Sequence, residues 1–266
     1  MSKQVAVVET NMEKQIAEIH AQAAVQQQQM AEVGIEIKDL EIPKLMLMQS
    51  TSDMVGEGLA KFGQIINTMD GSCVGGLEEG SVEIIPLKQF KTVRVYDVTE
   101  QPPSFLRSEP DDGKNSSYEM REGNENGVPI KRVLNMNFFV LIKKELDADE
   151  AFPAVVSFKS TGIPAGKQLA TQMFKMIQLG KLPYSKSVLL TVKKEKKEKN
   201  TYAVFGIEKG ETMSAEANTT CAKWLTTLAA ANVKIIEPTE EHDEFSEATV
   251  VAPTIVGGDT GANGPY

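Results

Sequence analysis

From Ser81 onward the chain falls into apolar runs of strand length separated by polar breaks. Ser81–Val98 carries Val82, Ile84, Ile85, Leu87, Phe90, Val93, Val95 and Tyr96, and its alternation slips near Pro86. That pattern predicts one long strand with a bend or bulge. Lys131–Lys143 predicts a second strand, and Phe152–Lys159, alternating through Val155, Val156 and Phe158, a third. Ser160-Thr161-Gly162 then opens a helix at Pro164, a residue suited to the first turn. Leu169, Met173, Phe174 and Ile177 recur at helical spacing and predict its packed face, and Gly180 supplies the stop. Ser187–Lys193 and Thr201–Ile207 predict two more strands, joined by the charged turn Lys194–Asn200. A last helix, Ser214–Asn232, packs through Cys221, Trp224, Leu225 and Leu228.

The rest of the chain is less periodic. Gln101–Val128 reads as a long polar loop, of the length that usually serves a function or moves. Upstream, Ile42–Met48 is extended, and Gln64–Thr68 is a short strand closed by Asp70-Gly71. Thr10–Ala31, rich in Gln, Ala and Glu, lacks a strong apolar face and reads as a frayed helix or a disordered arm.

The order from Ser81 to Ile207 is strand, strand, strand, helix, strand, strand. An OB-fold has that order, with its helix between the third and fourth strands. A β-sandwich does not normally place one helix there, and a doubly wound α/β fold needs more helices alternating with strands. The expected fold is mainly β (α+β): an OB-like five-stranded barrel with a helix between strands 3 and 4, plus a C-terminal helix. Three regions follow. Residues 1–40 are a flexible or helical arm, 41–234 the OB-like domain including helix 214–232, and 235–266 a disordered acidic tail.

Charge changes the picture. The chain has a formal net charge of −9, yet residues 131–209 hold 15 Lys/Arg against 7 Asp/Glu. The last thirty residues hold seven acids and no Lys or Arg. A basic, strand-rich middle and an acidic tail point to a polyanion partner and an internal mimic of it. The two cysteines, Cys73 and Cys221, belong to no Cys/His cluster, which argues against a disulfide framework or zinc site. No apolar run reaches the length of a membrane span and no secretory leader is visible, so a soluble protein of a reducing cytoplasm is expected.

Catalytic patterns are weak. Thr161-Gly162-Ile163-Pro164-Ala165-Gly166-Lys167-Gln168 lies where a phosphate-binding loop would sit. That loop needs four residues between its glycines and a Ser/Thr after the Lys; here there are three, followed by Gln168. The plain reading is an ordinary helix N-terminus; a middle reading has Ser160, Thr161 and the first helical amides hold one nucleic-acid phosphate, helped by Lys159 and Lys167. His20 and His242 fall in the two segments read as disordered, which disfavours His-based chemistry. Asp147, Asp149 and Glu150 lack calcium-loop spacing and read as a solvated turn. No enzyme, cofactor or metal is expected.

Cations interleaved with aromatic residues are the stronger signal. Lys88, Lys91, Arg94 and Tyr96 lie on the first strand, Lys131 and Arg132 on the second, and Lys159 ends the third. Lys167 is on the helix, Tyr184 and Lys186 precede strand four, and Tyr202 is on strand five. Lys193, Lys194, Lys196 and Lys197 crowd the last hairpin. Single-strand binding needs cations along the backbone track and flat rings for the bases. Phe139, Phe158 and Phe205 are assigned to the core, because strand Phe is usually buried. Tyr96, Tyr184 and Tyr202 are assigned to exposed stacking, because a Tyr ring tolerates a wet edge.

The layout resembles bacteriophage single-stranded DNA-binding proteins, which join a basic OB core to an acidic tail ending in an aromatic residue. The tail here runs Glu240-Glu241-His242-Asp243-Glu244-Phe245, and the chain ends Gly264-Pro265-Tyr266. Ile42–Thr68 (IPKLMLMQSTSDMVGEGLAKFGQIINT) resembles the opening of poorly characterised phage proteins. The resemblance implies sequence-independent single-stranded DNA binding in replication or recombination, in the host cytoplasm. It also implies a tail that recruits replication or recombination proteins through Glu240, Glu241, Asp243, Glu244, Phe245 and Tyr266. The acids here stand about twenty residues before the terminal aromatic rather than beside it, a departure from that pattern. The alternative is a phage structural or protein-interaction protein with no nucleic-acid role. Self-association of the core stays open.

Overall fold

The computed structural model describes residues 41–99, 103–111, 120–197 and 200–230, with isolated positions 25, 32 and 34. The acidic tail and, apart from those positions, the N-terminal arm lie outside the described residues. Leu45–Leu47 (β1), Gln64–Asn67 (β2) and Cys73–Gly76 (β3) form a small sheet in that order, with the one-turn helix Asp53–Gly56 (α1) after β1. The main sheet follows: Val82–Asp97 (β4), Ser104–Pro110 (β5), Met120–Glu125 (β6) and Val128–Ile142 (β7). After a short helix, Lys143–Asp147 (α2), come Ala154–Lys159 (β8), a 3-10 turn at Ser160–Gly162 and the helix Ile163–Gln178 (α3). Lys186–Lys197 (β9), Asn200–Thr212 (β10) and the helix Ala215–Ala230 (α4) complete the order.

Two long strands carry the architecture. β4 and β7 pair antiparallel from Ile84↔Ile142 to Asp97↔Ile130, and the register shift between Pro86 and Lys88 is the bend expected near Pro86. At one end β9 pairs with β4, β10 with β9, and β8 with β7, giving the order β10-β9-β4-β7-β8. At the other end β5 flanks β4 and β6 flanks β7. The fold is therefore mainly β with a few helices. Among the described residues no strand pairing joins β8 to β10, so the sheet does not close into a barrel.

The N-terminal segment stands at that gap. The Val155 N–H donates to the Pro43 carbonyl at 2.8 Å, and Lys44 forms a parallel bridge with Val155 of β8. On the other side the Gln49 amide behaves like a neighbouring strand. Its Nε2 donates to the Ala203 carbonyl at 2.9 Å, and its Oε1 accepts from the Ala203 N–H at 2.8 Å. A bare sheet edge on β10 is thus satisfied by one side chain.

Side-chain period sorts the core into two faces. On one face Ile84, Phe138, Val140, Val156, Phe158 and Leu190 pack together, and α3 lies over them through Ile163, Leu169 and Met173. Phe138 and Phe158 meet edge to face at 5.6 Å, both fully buried; each ring adds about 1.5–3 kcal/mol of burial. On the opposite face Ile85, Leu87, Phe139 and Leu141 pack with Cys221 and Leu228 of α4. A Cβ on Gly166 would fall 2.9 Å from Phe158 Cβ. The glycine of the phosphate-loop look-alike therefore lets α3 lie close on β8.

Two sequence expectations are corrected. Phe174 and Ile177, assigned to the packed face of α3, are 57% and 54% exposed. The packed stripe is Ile163, Gly166, Leu169 and Met173; Phe174 stands about 100° round the helix from Met173, and Ile177 lies past the end of the stripe. Gln101–Val128 is not only a loop, since it contains β5 and β6. These strands have no apolar stripe and are tied by charge. Arg107 donates to Glu109 at 2.7 Å and to Glu125 at 2.8 Å, and Arg132 of β7 also pairs with Glu125. No helix among the described residues is long and apolar enough to cross a membrane.

Candidate functional site

The face covered by α4 turns polar further along the sheet. In register across β4, β7 and β8 stand Phe90, Asn137 and Ser157, then Thr92, Asn135 and Lys159. The Ser157 hydroxyl donates to Asn137 Oδ1 at 2.7 Å, and Asn137 Nδ2 donates to Thr92 Oγ1 at 3.0 Å. Next along β4 come Arg94 and then Tyr96, which is paired with Lys131. Arg94 donates to the Tyr96 hydroxyl at 3.3 Å and lies 5.0 Å over the Phe105 ring. Arg94, Lys131, Asn135 and Asn137 are all buried. Asn135 Oδ1 has no hydrogen-bond partner, a costly state for a buried acceptor.

A cavity of about 230 Å³ opens at the edge of this polar row, where β1, β8 and β10 meet. Arg94, Asn135, Ser157 and Lys159 form its polar wall. Met46, Met48 and Met54 face it from the N-terminal segment, and Phe205 from β10. Lys44, Thr161 and Gly162 also line it. Ser160, between Lys159 and Thr161, has φ of +44°, a conformation that costs a non-glycine residue about 1–3 kcal/mol. Such strain persists only where surrounding structure holds it.

The β9–β10 hairpin is continuous with this cavity. Its residues Ala203, Val204 and Phe205 line the cavity; the exposed Lys194 and Lys193 pair directly with Ala203 and Val204, and the exposed Lys196 lies further out. Lys194 Nζ lies 5.7 Å over the Phe62 ring. The strands pair as far as Lys197↔Asn200, so most of the expected charged turn is strand.

The expected residues divide as follows. Arg94 and Lys159 line the cavity, and Lys193, Lys194 and Lys196 stand on the adjoining hairpin. Tyr202 is half-buried, and its hydroxyl donates to Glu195 at 3.3 Å; partial burial and that carboxylate raise its pKa. Lys88, Lys167 and Lys186 are exposed but do not line the cavity, and Lys197 pairs with Asn200 in the hairpin. Lys91 pairs with Asp111 at 3.9 Å. Arg132 is held by Glu125, whose carboxyl is pulled below its ordinary range chiefly by the Arg107 hydrogen bond.

Four assignments change. Tyr96 and Tyr184, expected as exposed stacking rings, are 1% and 4% exposed. Tyr96 packs edge-on against Phe105 at 5.8 Å, and Tyr184 sits in the second core face with Cys221. Arg94 and Lys131 are buried in the polar row, so neither stands on an open phosphate track. Phe139 and Phe158 are buried as expected, and Phe205 is half-buried against the core. Glu240, Glu241, Asp243, Glu244, Phe245 and Tyr266 lie outside the described residues. Among the described residues no group of three or more His, Cys, Asp or Glu is placed to hold a metal.

Sequence reasoning missed Lys44, Gln49, Asn135 and Ser157. One signal was present: Asn135 and Asn137 sit two apart inside an otherwise apolar run, on one side of a strand. Nothing local marks Gln49, whose partner is 154 positions away.

Residues 12–234 match one protein-family model, described as Pam3 phage gp34-like protein. No curated protein and no solved structure matches the chain. The match spans most of the sequence, from the N-terminal arm to just past α4, and includes both the cavity and the hairpin. The chain therefore belongs to the Pam3 phage gp34-like family and is a bacteriophage protein.

Proposed function

We propose that this protein binds single-stranded DNA, without sequence preference and without catalysis, during phage DNA replication or recombination in the host cytoplasm. The observation that carries the reading is connectivity. The pairings β4–β7, β7–β8, β4–β9 and β9–β10, with α3 between β8 and β9, support an OB-like reading in which the closing pair is missing. The N-terminal segment stands where that closing pair would form. OB-folds bind polymers across strands two and three, between the loops joining strands one to two and four to five. On this reading the corresponding parts are the polar face of β7 and β8, the segment 98–127 and the lysine hairpin.

In this reading Lys193, Lys194 and Lys196 neutralise phosphates, and Tyr202 and Phe205 offer ring surface. The acidic tail competes for the groove and recruits replication or recombination proteins. Titration of labelled single-stranded and duplex oligonucleotides across salt tests it. Single strands bind better, and the log–log salt slope falls by about 0.7 for each phosphate contact removed by K193E, K194E or K196E. Equal or absent binding of single strands at low salt sinks the proposal. A phage structural or interaction protein is the second reading, favoured by the exposed apolar side chains Phe174, Ile177 and Leu179 on and after α3.

A further inference from the structure

The cavity at the junction of β1, β8 and β10 has chemistry that phosphate neutralisation does not use. One side is polar and cationic, with Arg94, Asn135 and Lys159; the rest brings the thioethers of Met46, Met48 and Met54, the Phe205 ring and one acid, Asp53. Asn135 lies in the middle strand of the polar face, 3% exposed, and its Oδ1 accepts nothing. Ser157, which also lines the cavity, has its hydroxyl proton committed to Asn137. Buried acceptors without partners are rare and call for an explanation; this one is shut off from solvent, so a donor in the cavity reaches it once the Asn135 side chain turns towards the opening. Methionines make favourable contacts with flat rings and adapt to their outline. Lys44 and Lys159 supply positive charge beside the same cavity.

We infer that this cavity receives one unstacked nucleobase of the bound strand, its Watson–Crick edge on the Asn135 amide, its ring between the methionines and Phe205, and its phosphate towards Lys159. The inference rests on the single-stranded DNA reading above. A carboxamide offers an acceptor and two donors. The Watson–Crick edge of each of the four bases carries an N–H donor next to an acceptor, so one Asn can pair with any of them. The site therefore holds a base without selecting it, as sequence-independent binding requires. Phosphate contacts alone would treat a strand with a base and one without it alike.

The test uses the full chain and a series of short labelled single strands in which one abasic site is moved along the sequence. Fluorescence anisotropy at fixed salt should show one position where loss of the base weakens binding roughly five- to a hundredfold, the range for losing one base contact. In N135L that penalty should shrink towards the value at the other positions, with the salt slope unchanged. Removing an unpartnered acceptor should leave the thermal midpoint of the free protein equal or higher, so weaker binding would not reflect unfolding. If every abasic position binds like the intact strand, the base pocket is overturned while single-stranded DNA binding stands. If no oligonucleotide binds at low salt, both readings fall. If the four deoxynucleoside monophosphates raise the thermal midpoint at millimolar concentration but no oligonucleotide binds, the occupant is a free nucleotide and the strand as its source is overturned.

Discussion

Gln49 supplies a whole strand's worth of edge contact from one side chain, and replacing it measures what that contact contributes. Gln49→Met keeps length and bulk and removes both the donor and the acceptor. The side chain is 8% exposed and Ala203 is 3% exposed, so water does not readily take over either bond. The substitution leaves the Ala203 N–H and carbonyl without partners. Each orphaned buried group costs about 1–3 kcal/mol; a central expectation for the pair is about 3 kcal/mol. In a domain of this size that lowers the thermal midpoint by about 6–12 °C. Urea unfolding followed by circular dichroism reads the free energy. Hydrogen exchange at the Ala203 amide reads the position, and its protection should fall while that of Phe138 does not. A loss below about 0.5 kcal/mol, within the range of an inert surface change, would refute the claim that Gln49 stands in for a strand. The same result would weaken the case that the N-terminal segment completes the sheet.

Other substitutions probe different parts of the molecule. Gly166→Ala should destabilise by about 1 kcal/mol, because crowding against Phe158 outweighs the helical preference for Ala; Gly162→Ala, whose Cβ meets Phe158 only at 3.8 Å, should be neutral in the same urea assay. Glu125 has its carboxyl lowered by Arg107, so its contribution to stability is present above the ordinary carboxylate range and is lost as pH falls through the depressed value. Unfolding free energies of wild type and Glu125→Gln should therefore diverge above about pH 5 and converge in acid. Cys73 is exposed, whereas Cys221 is buried with its thiol pushed up to about 12, so a thiol-reactive dye should label one site quickly in the native protein and none in Cys73→Ser.

The core strands were legible because burial imposes a period of two: Phe138, Val140 and Ile142 on one face, Phe139 and Leu141 on the other. β5 and β6 were not, because cross-strand ion pairs rather than an apolar stripe stabilise them, and Arg107 and Glu125 stand 18 positions apart. The same limit hid the cavity. Its polar wall is built on β4, β7 and β8, and its other wall from residues 44–54 and 203–205, a meeting that no local pattern announces. Tyr96 shows a different failure. A Tyr ring is placed at a wet edge because its hydroxyl needs a partner; here Arg94, two residues away on the same face, supplies one inside the protein. The pair is buried together, although each alone looks like a surface residue.

That pairing alters what the basic middle of the chain means. Residues 131–209 are rich in Lys and Arg, but charge along the sequence is not charge on a surface. Lys131 is buried in the polar row, and Arg132 is committed to Glu125. Lys159 belongs to the cavity rather than to an open track. Among the described residues, the exposed cations of the hairpin nearest the cavity are Lys193, Lys194 and Lys196, beside its lining residues Ala203, Val204 and Phe205. A polyanion arriving at this protein would therefore meet the exposed hairpin lysines first and the buried Arg94 and half-buried Lys159 last. Exposed lysines raise the association rate and respond strongly to salt. Buried cations held by neighbouring side chains respond weakly to salt and govern how long the complex lasts. The two groups are thus separable by kinetics: hairpin substitutions should act on the association rate, and Lys159→Met on the dissociation rate. Equal effects of both on association would mean that the cavity is only another stretch of charged surface.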